Sequence, residues 1–367
     1  MLLLFSSDAQ QNLKIVKSSH MDQKRRRFVL YAQNRLHALG SKTANGLILF
    51  RQEEVQVVVD ASKAGMTVQD VLGYGGDIPI VAHITEAMAF QPDTLVIGVA
   101  PIGGAVKPEW IPELKIALEA GLNVWAGLHQ FLGDVDELKS YRNLIWDARR
   151  PPPGLKVAQG HWRERKSKII LTIGSDSNVG KMTTALMLQR QLKTLGLESI
   201  FVGTGQTGMM ISGRGVAVDA IVSDFVNGAT EAEIDKVDGQ APLIIVEGQG
   251  AVTHIGYSAV TMGLIHGSMP DAFVLAHQPS RIVDDYDHPL PEIQEVIDIH
   301  TALMRPFKST KVLGINLYSK DLSPDEGQKA CENIYENTGL PVEDMVKSPK
   351  GIVAEKVLRD LFPEKNV

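Results

Sequence analysis

Several features are scarce in this 367-residue sequence, and each scarcity excludes a class of protein. The single cysteine, Cys331, excludes an internal disulfide and a Cys-x-x-Cys zinc or redox motif. No apolar run approaches the roughly 20 residues of a membrane span, and Leu2–Phe5 is too short and lacks the basic flank of a signal peptide. The net charge of −6 disfavours nucleic acid as a partner. We therefore expect a cytoplasmic protein with neither nucleic-acid nor membrane partners.

The rest of the composition, 44% hydrophobic and 22% charged, is typical of a globular protein long enough for two domains. Residues 1–27 are polar, end in four basic residues and show no sustained period, which predicts a flexible tail; Met21 is an alternative start. From Phe28 onward, apolar runs alternate with helix-like stretches. This alternation predicts an α/β fold with parallel sheets covered on both faces.

Three consecutive prolines, Pro151–Pro153, mark a domain boundary because they can continue neither a helix nor a central strand. We assign residues 28–150 to the first domain, 151–166 to a Pro-rich linker and 167–367 to the second domain. The predicted strands of the first domain are 28–31, 46–50, 55–59, 80–82, 95–99 and 123–126, and its predicted helices are 68–72, 84–90 and 108–120.

Three features of the first domain stay ambiguous in the sequence. The glycine-rich turn at residues 98–104 follows an apolar strand, and it is either a tight structural turn or a nucleotide contact. His129 is either a structural histidine or a ligand. Arg149 and Arg150 either pin the linker or reach an anionic ligand.

The most informative stretch is residues 168–186, where an apolar strand leads into the loop Gly174–Gly180, then Lys181 and a helix predicted at 184–195. Loop N–H groups, a helix N-terminus and a lysine together form a phosphate-binding site. The predicted cofactor-binding residues are Gly174, Ser175, Asp176, Ser177, Asn178, Val179, Gly180, Lys181, Met182, Thr183 and Thr184.

The loop departs from a standard P-loop in two ways. Five residues rather than four separate its glycines, and Met182 stands where a Ser or Thr normally binds Mg²⁺. Thr183 cannot replace that hydroxyl, because one helical step rotates a side chain by about 100°.

Other candidate residues follow strands of the second domain. Glu247 ends an apolar strand, as a Walker B carboxylate does, and His277 ends another strand shortly before Arg281. His277 is the preferred general base, with Glu247, His254 and His266 as the other candidates, because the reference pKa of a histidine, about 6.5, is closer to neutral than that of a lone carboxylate, about 4.3. The predicted substrate-binding residues are Gly205, Gln206, Thr207, Arg214, Gln249 and Arg281.

These motifs, together with residues 98–104, 127–132 and 147–153, resemble the bacterial D-glutamate N-acetyltransferase family. The resemblance extends over nearly everything from Phe28 onward, and Val179–Thr184 follows the family pattern, Met182 included. It implies a Rossmann-like N-terminal domain and a doubly wound, P-loop NTPase-like C-terminal domain. It also implies an acetyl-CoA co-substrate, an amino-acid acceptor such as D-glutamate, no metal and a homodimer.

Two alternatives remain at this stage. Gly174–Lys181 and Val246–Gly248 also resemble dethiobiotin synthetase more distantly, which would imply an ATP- and Mg²⁺-dependent ligase or carboxylase. The third hypothesis is a regulator that binds a nucleotide or CoA without catalysis.

Overall fold

The computed structural model describes residues 25–38 and 40–365 of the chain. They form two compact units, the first comprising the chain up to Pro151 with Gln206–Ala220, and the second comprising Pro152–Gly205 with the chain from Ile221. Each unit contains one six-stranded sheet of parallel strand pairs. The predicted α/β class is confirmed. Most of the predicted tail, with Met21, lies outside the described residues.

The first sheet has the strand order β3-β2-β1-β4-β5-β6, which is that of a Rossmann sheet. Its strands are β1 (Phe28–Tyr31), β2 (Val55–Val59), β3 (Ile80–Val81), β4 (Thr94–Ile97), β5 (Asn123–Ala126) and β6 (Ile145–Asp147). Helices α1 (Lys42–Phe50), α2 (Val68–Leu72), α3 (Ile84–Ala87) and α4 (Ile111–Glu119) connect them. The residues of β1 and β4 are all buried, as expected for strands covered on both faces.

The prediction of a strand at 46–50 is wrong, because these residues form the second half of α1. The helix is fixed by tertiary contacts at its start. The Ala44 backbone N–H donates to the Gly98 carbonyl (3.0 Å), and a Cβ on Gly98 would come within 2.6 Å of the Ala44 Cβ. Burial of Ala44 and Leu47 against the sheet outweighs the strand preference of the short apolar run.

The second sheet has the order β12-β11-β10-β7-β9-β8, so its first strand, β7, lies between β10 and β9. The strands are β7 (Lys168–Gly174), β8 (Ser199–Val202), β9 (Leu243–Val246), β10 (Ala272–His277), β11 (Lys311–Leu317) and β12 (Val342–Glu343). Because neighbouring parallel strands end at one edge of a sheet, the loops after β7, β9 and β10 are adjacent. This edge positions the candidate site.

The later helices are α5 (Lys181–Thr194), α6 (Gln206–Ser212), α7 (Val226–Asp235), α8 (Ser258–Ser268), α9 (Ile293–Met304), α10 (Pro324–Thr338) and α11 (Ile352–Leu361). Helix α6 lies within the first unit. Helix α5 begins three residues before the predicted start, because Gly180 adopts a left-handed conformation (φ 97°) and lets the helix start at Lys181. No helix among the described residues is both long and apolar enough to span a membrane.

Candidate functional site

The loop between β7 and α5 closes around its own lysine. Lys181 is 6% exposed, and its Nζ donates to the Asp176 carbonyl at 2.7 Å. Asn178 and Gly180 have positive φ angles of 55° and 97°, which turn the loop into the helix. The lysine and the helix N-terminus thus bring positive charge to the loop, which suits a phosphate group.

The side chains of Met182 and Thr184, close to Lys181 in the sequence, are engaged within the protein. Met182 is 8% exposed and packs into the core. The Thr184 hydroxyl donates to the Gly180 carbonyl (3.0 Å) and accepts from Asn316 Nδ2 (2.7 Å). Neither Met182 nor Thr184 therefore offers the Mg²⁺-binding hydroxyl of a standard P-loop.

His277 contacts the loop directly. Its Nδ1 lies 2.8 Å from the Ser175 hydroxyl, because β10 ends beside β7 in the sheet. Burial lowers the pKa of His277 to about 4, so the ring is neutral at pH 7. The hydrogen bond between the neutral ring and the Ser175 hydroxyl holds the first loop residue in place.

A group that we call the acidic cluster lies over the same loop and consists of Asp176, His254, Arg281 and Asp285. Arg281 Nε contacts the Asp176 carboxylate, and Arg281 Nη2 donates to Asp285 Oδ1 at 2.7 Å. Arg281, predicted to bind a substrate carboxylate, is therefore paired with two carboxylates of the protein. Asp285 was not singled out in the sequence, because residues 281–285 form no helix in which an i, i+4 spacing would predict the pair.

The tautomer of His254 follows from its contacts. The ring is 2% exposed, stacks on Tyr257 with centroids 4.7 Å apart, and accepts the Gly256 N–H at Nδ1 (3.1 Å). The proton of the neutral ring is therefore on Nε2, which lies 3.9 Å from Asp176 Oδ1 and 3.8 Å from Asp285 Oδ2. Because Nδ1 already accepts a backbone N–H, this arrangement suits an N–H donor directed at Asp176 and Asp285 better than a general base.

Glu247 binds the turn that follows β8. Its Oε2 accepts the backbone N–H groups of Thr204 (2.9 Å) and Gly205 (3.2 Å), and the Thr204 hydroxyl donates to the Glu247 carbonyl (2.7 Å). Two backbone donors stabilise the ionised carboxylate. The observed contacts give Glu247 a structural role beside the loop.

His266 does not join the other candidate bases. It lies near the end of α8, which returns from the carboxyl edge of the sheet to the start of β10, and its ring meets Phe307 edge-on at 5.4 Å. Burial lowers its pKa. The structure therefore places His266 at the edge of the sheet opposite the loop.

The predicted substrate-binding residues are divided between the two units. Gly205, Gln249 and Arg281 are in the second unit, and Gln206, Thr207 and Arg214 are in the first. Within the first unit, Thr207 hydrogen-bonds Thr43 (2.9 Å) and Gln206 accepts from Arg149 (2.9 Å). No local pattern in the sequence predicts these pairings, because the partners are 164 and 57 residues apart.

Two family descriptions match the chain. Residues 156–353 match "Domain of unknown function (DUF1611_C) P-loop domain", and residues 61–151 match "Domain of unknown function (DUF1611_N) Rossmann-like domain". A crystal structure of a DUF1611 family protein from Anabaena variabilis is similar to this chain, with a TM-score of 0.85 and 32% identity. The match covers 91% of this chain and 100% of that one.

Two curated relatives have names that state an activity. A D-glutamate N-acetyltransferase from a Pseudoalteromonas species is 32% identical over 329 residues, covering 87% of this chain and 95% of the relative. A D-glutamate N-acetyltransferase from Tritonibacter scottomollicae is 37% identical over 278 residues, covering 73% of this chain and 82% of the relative.

Proposed function

This chain belongs to the DUF1611 family, and from that membership we propose that it is an acyltransferase that moves acetyl from acetyl-CoA to the amino group of D-glutamate. The observation that carries the proposal is the similarity to two relatives named for this reaction, each matched over more than four fifths of its own length. The P-loop supports the same function, because its geometry suits the phosphates of the acetyl donor.

The loop Ser175–Gly180 and Lys181 would bind the phosphates of acetyl-CoA. Lys181 supplies a full positive charge, and the start of α5 adds the partial charge of a helix N-terminus. Acetyl transfer from a thioester leaves the phosphates intact, so it requires no metal ion to activate them. The buried Met182 beside Lys181 is compatible with that chemistry.

The length of the donor separates the phosphate site from the transfer site. About a dozen bonds of ~1.5 Å link the CoA pyrophosphate to its sulfur, so an extended arm spans roughly 15 Å. With the phosphates on Lys181, the thioester would lie beyond His277, whose ring contacts the same loop at Ser175. His277 then anchors the phosphate loop, and its role as general base becomes the competing hypothesis.

The reaction itself needs a base and a set of oxyanion donors. A base removes the proton from the D-glutamate ammonium, and the amine nitrogen attacks the thioester carbonyl. Backbone N–H donors stabilise the tetrahedral oxyanion. The C–S bond then breaks, the C–N bond of the amide remains, and the second proton lost by the nitrogen is taken up by the departing CoA thiolate.

A direct assay tests the proposal. Purified protein is mixed with acetyl-CoA and D-glutamate, and the release of free thiol is followed with and without a chelator. We expect release that requires D-glutamate, persists with the chelator and is weaker with L-glutamate. Hydrolysis of Mg-ATP stimulated by an amino acid, without thiol release, would identify the ligase alternative. Acetyl-CoA binding without turnover of any D-amino acid would identify the regulator.

We also propose that the protein acts in the cytoplasm as a homodimer. Acetyl-CoA is an intracellular metabolite, which supports the compartment, and the family resemblance is the support for the dimer. Light scattering should then give twice the 40.0 kDa mass of one chain, and a mass of one chain would contradict the dimer.

A further inference from the structure

The first unit contains an open cleft of about 370 Å³ at the carboxyl ends of β4, β5 and β6. Parallel α/β sheets bind ligands at this edge, and the volume is at the small end of ligand pockets. The cleft is lined by the turn after β4, the loop after β5 and one charged side chain: Ala100, Gly103, Gly104, Leu128, His129 and Arg149.

Arg149 is the polar group that defines this cleft. Its side chain is more than nine-tenths buried. Nε donates to the Gly127 carbonyl (2.9 Å), Nη2 donates to Gln206 (2.9 Å) and Nη1 contacts the Asp219 carboxylate. A guanidinium has five N–H donors, and among the described residues the remaining two have no acceptor. Because Arg149 lines the cleft, these two N–H groups can donate to an oxygen of a ligand bound there.

The walls of the cleft are held in place by the protein. The Gln130 N–H donates to the Gly104 carbonyl (3.1 Å), and its side chain accepts the Val106 N–H (3.0 Å). A Cβ on Gly104 would come within 2.3 Å of the His129 ring, so the turn after β4 lies directly against the loop after β5. The cleft is therefore a preformed site.

The dinucleotide site of a Rossmann fold does not fit here. The carboxylate of Asp60, at the end of β2, would bind a ribose in that fold, but it accepts the N–H groups of Leu36 (2.7 Å) and Ser62 (2.9 Å). Gly98 and Ala44 are packed against each other at the junction of β1 and β4. In both places, groups of the protein occupy the position that a nucleotide would take.

We propose that this cleft binds a carboxylate group of the amino-acid acceptor, with Arg149 as the binding residue. A planar guanidinium matches a carboxylate with two parallel hydrogen bonds. Asp219 already balances part of the Arg149 charge, which favours a single carboxylate over a doubly charged phosphate. The identity of the acceptor rests on the proposed function, whereas the carboxylate site rests on the cleft.

The test compares two variants of the cleft with one control in the full-length protein. Arg149→Gln removes the guanidinium, and Ala100→Trp fills the cleft from an exposed position without breaking a hydrogen bond of Arg149. Arg150→Gln is the control, since Arg150 pairs with Asp134 (2.9 Å) and does not line the cleft. Calorimetry measures the binding of D-glutamate, of glutarate as a carboxylate without the amine, and of acetyl-CoA.

We expect both cleft variants to weaken D-glutamate and glutarate binding by about tenfold or more, with acetyl-CoA affinity unchanged and the control equal to wild type. Unchanged D-glutamate affinity in both variants, with acetyl transfer intact, would overturn the cleft and leave the proposed function standing. The wild type could also bind glutarate but show no acetyltransferase activity. If both variants then lose glutarate binding, the result would support the cleft and refute the proposed function.

Discussion

At the scale of single residues, the loop after β7 depends on a few contacts that can be removed one at a time. Lys181 holds the loop at the Asp176 carbonyl, and the hydrogen bond between His277 and Ser175 holds its first residue. Their side chains are the most direct test of whether the loop binds a donor, because each contact predicts a different change in binding or turnover.

Lys181→Ala should weaken acetyl-CoA binding by about 1.5–3 kcal/mol, the range for a charge-assisted hydrogen bond. Calorimetric titration of the variant measures this loss. Lys168→Ala is the matched control, because Lys168 is exposed at the start of β7, at the other end of the strand. Equal affinities in wild type and Lys181→Ala would refute the phosphate-binding loop.

Met182→Thr restores the hydroxyl that a standard P-loop uses for Mg²⁺. If the reaction is acetyl transfer, the variant should turn over no faster than wild type and should lose a little stability, because a buried thioether is replaced by a polar group. Steady-state rates and Mg-ATP titrations measure both effects. Micromolar Mg-ATP binding by the wild type, with hydrolysis in the presence of substrate, would contradict acetyl transfer.

His277→Ala separates the two roles of this histidine. As a loop anchor, His277 should affect the KM for acetyl-CoA several-fold and leave kcat nearly unchanged, and Ser175→Ala should have the same effect, since it removes the same hydrogen bond.

A kcat that falls by roughly 10²–10⁴ in His277→Ala, with donor affinity intact and partial recovery at high pH, would instead establish His277 as the general base. The double variant, which combines His277→Ala with Ser175→Ala, adds a control. If His277 acts only through Ser175, the double variant should match either single variant.

At the scale of secondary-structure elements, α9 carries a histidine into the core of the second unit. His300 is fully buried, its Nδ1–H donates to the Val296 carbonyl (2.7 Å), and its ring meets Phe273 of β10 edge-on at 5.8 Å. Burial lowers the pKa of His300 to about 4. Because the unfolded chain takes up this proton near pH 6.5, the native helix is destabilised by acid.

The expected acid sensitivity has a defined range. Between pH 6.5 and about 4 only the unfolded state is protonated at His300, so the free energy of unfolding falls as the pH is lowered, by about 3 kcal/mol in total. His300→Leu should remove this contribution, and denaturant titrations at several pH values measure it. The exposed His288 provides a control in His288→Gln. An unchanged pH dependence in His300→Leu would contradict the assignment.

At the scale of the whole molecule, the first unit is not a continuous stretch of chain. Helix α6 and the residues up to Ala220 belong to it, although they follow the phosphate loop in sequence. Arg51 Nη1 donates to the Met210 carbonyl of α6 (3.1 Å), and Asp219 pairs with Arg149. A fragment ending at Pro151 therefore lacks partners of two buried arginines.

The fragment of residues 25–151 should consequently melt below the first unit of the full-length chain, because Arg149 loses its carboxylate partner and Arg51 loses one of its acceptors while both stay buried. Adding a peptide of residues 206–220 should raise its melting temperature, and a peptide with Asp219→Asn should do so less. A fragment whose melting temperature does not respond to either peptide would contradict this dependence.

Much of the architecture was determined by the sequence alone. The alternation of apolar runs with helical stretches predicts two parallel sheets because the periods of strands and helices are local properties of the chain. The phosphate loop could also be predicted from the sequence, since its glycines, Lys181 and the following helix are contiguous. The resemblance of these motifs to an acetyltransferase family is in line with the relatives that carry that name.

The tertiary structure alone decided how distant residues are paired. Residues 46–50 became part of a helix because Ala44 packs on Gly98, about fifty residues away. His277 contacts Ser175 because β10 pairs with β7, and Arg281 forms an ion pair with Asp176 for the same reason. Arg149 lines a cleft because the carboxyl ends of β4, β5 and β6 meet at one edge of the sheet. Such pairings depend on strand order, which no local pattern in the sequence encodes.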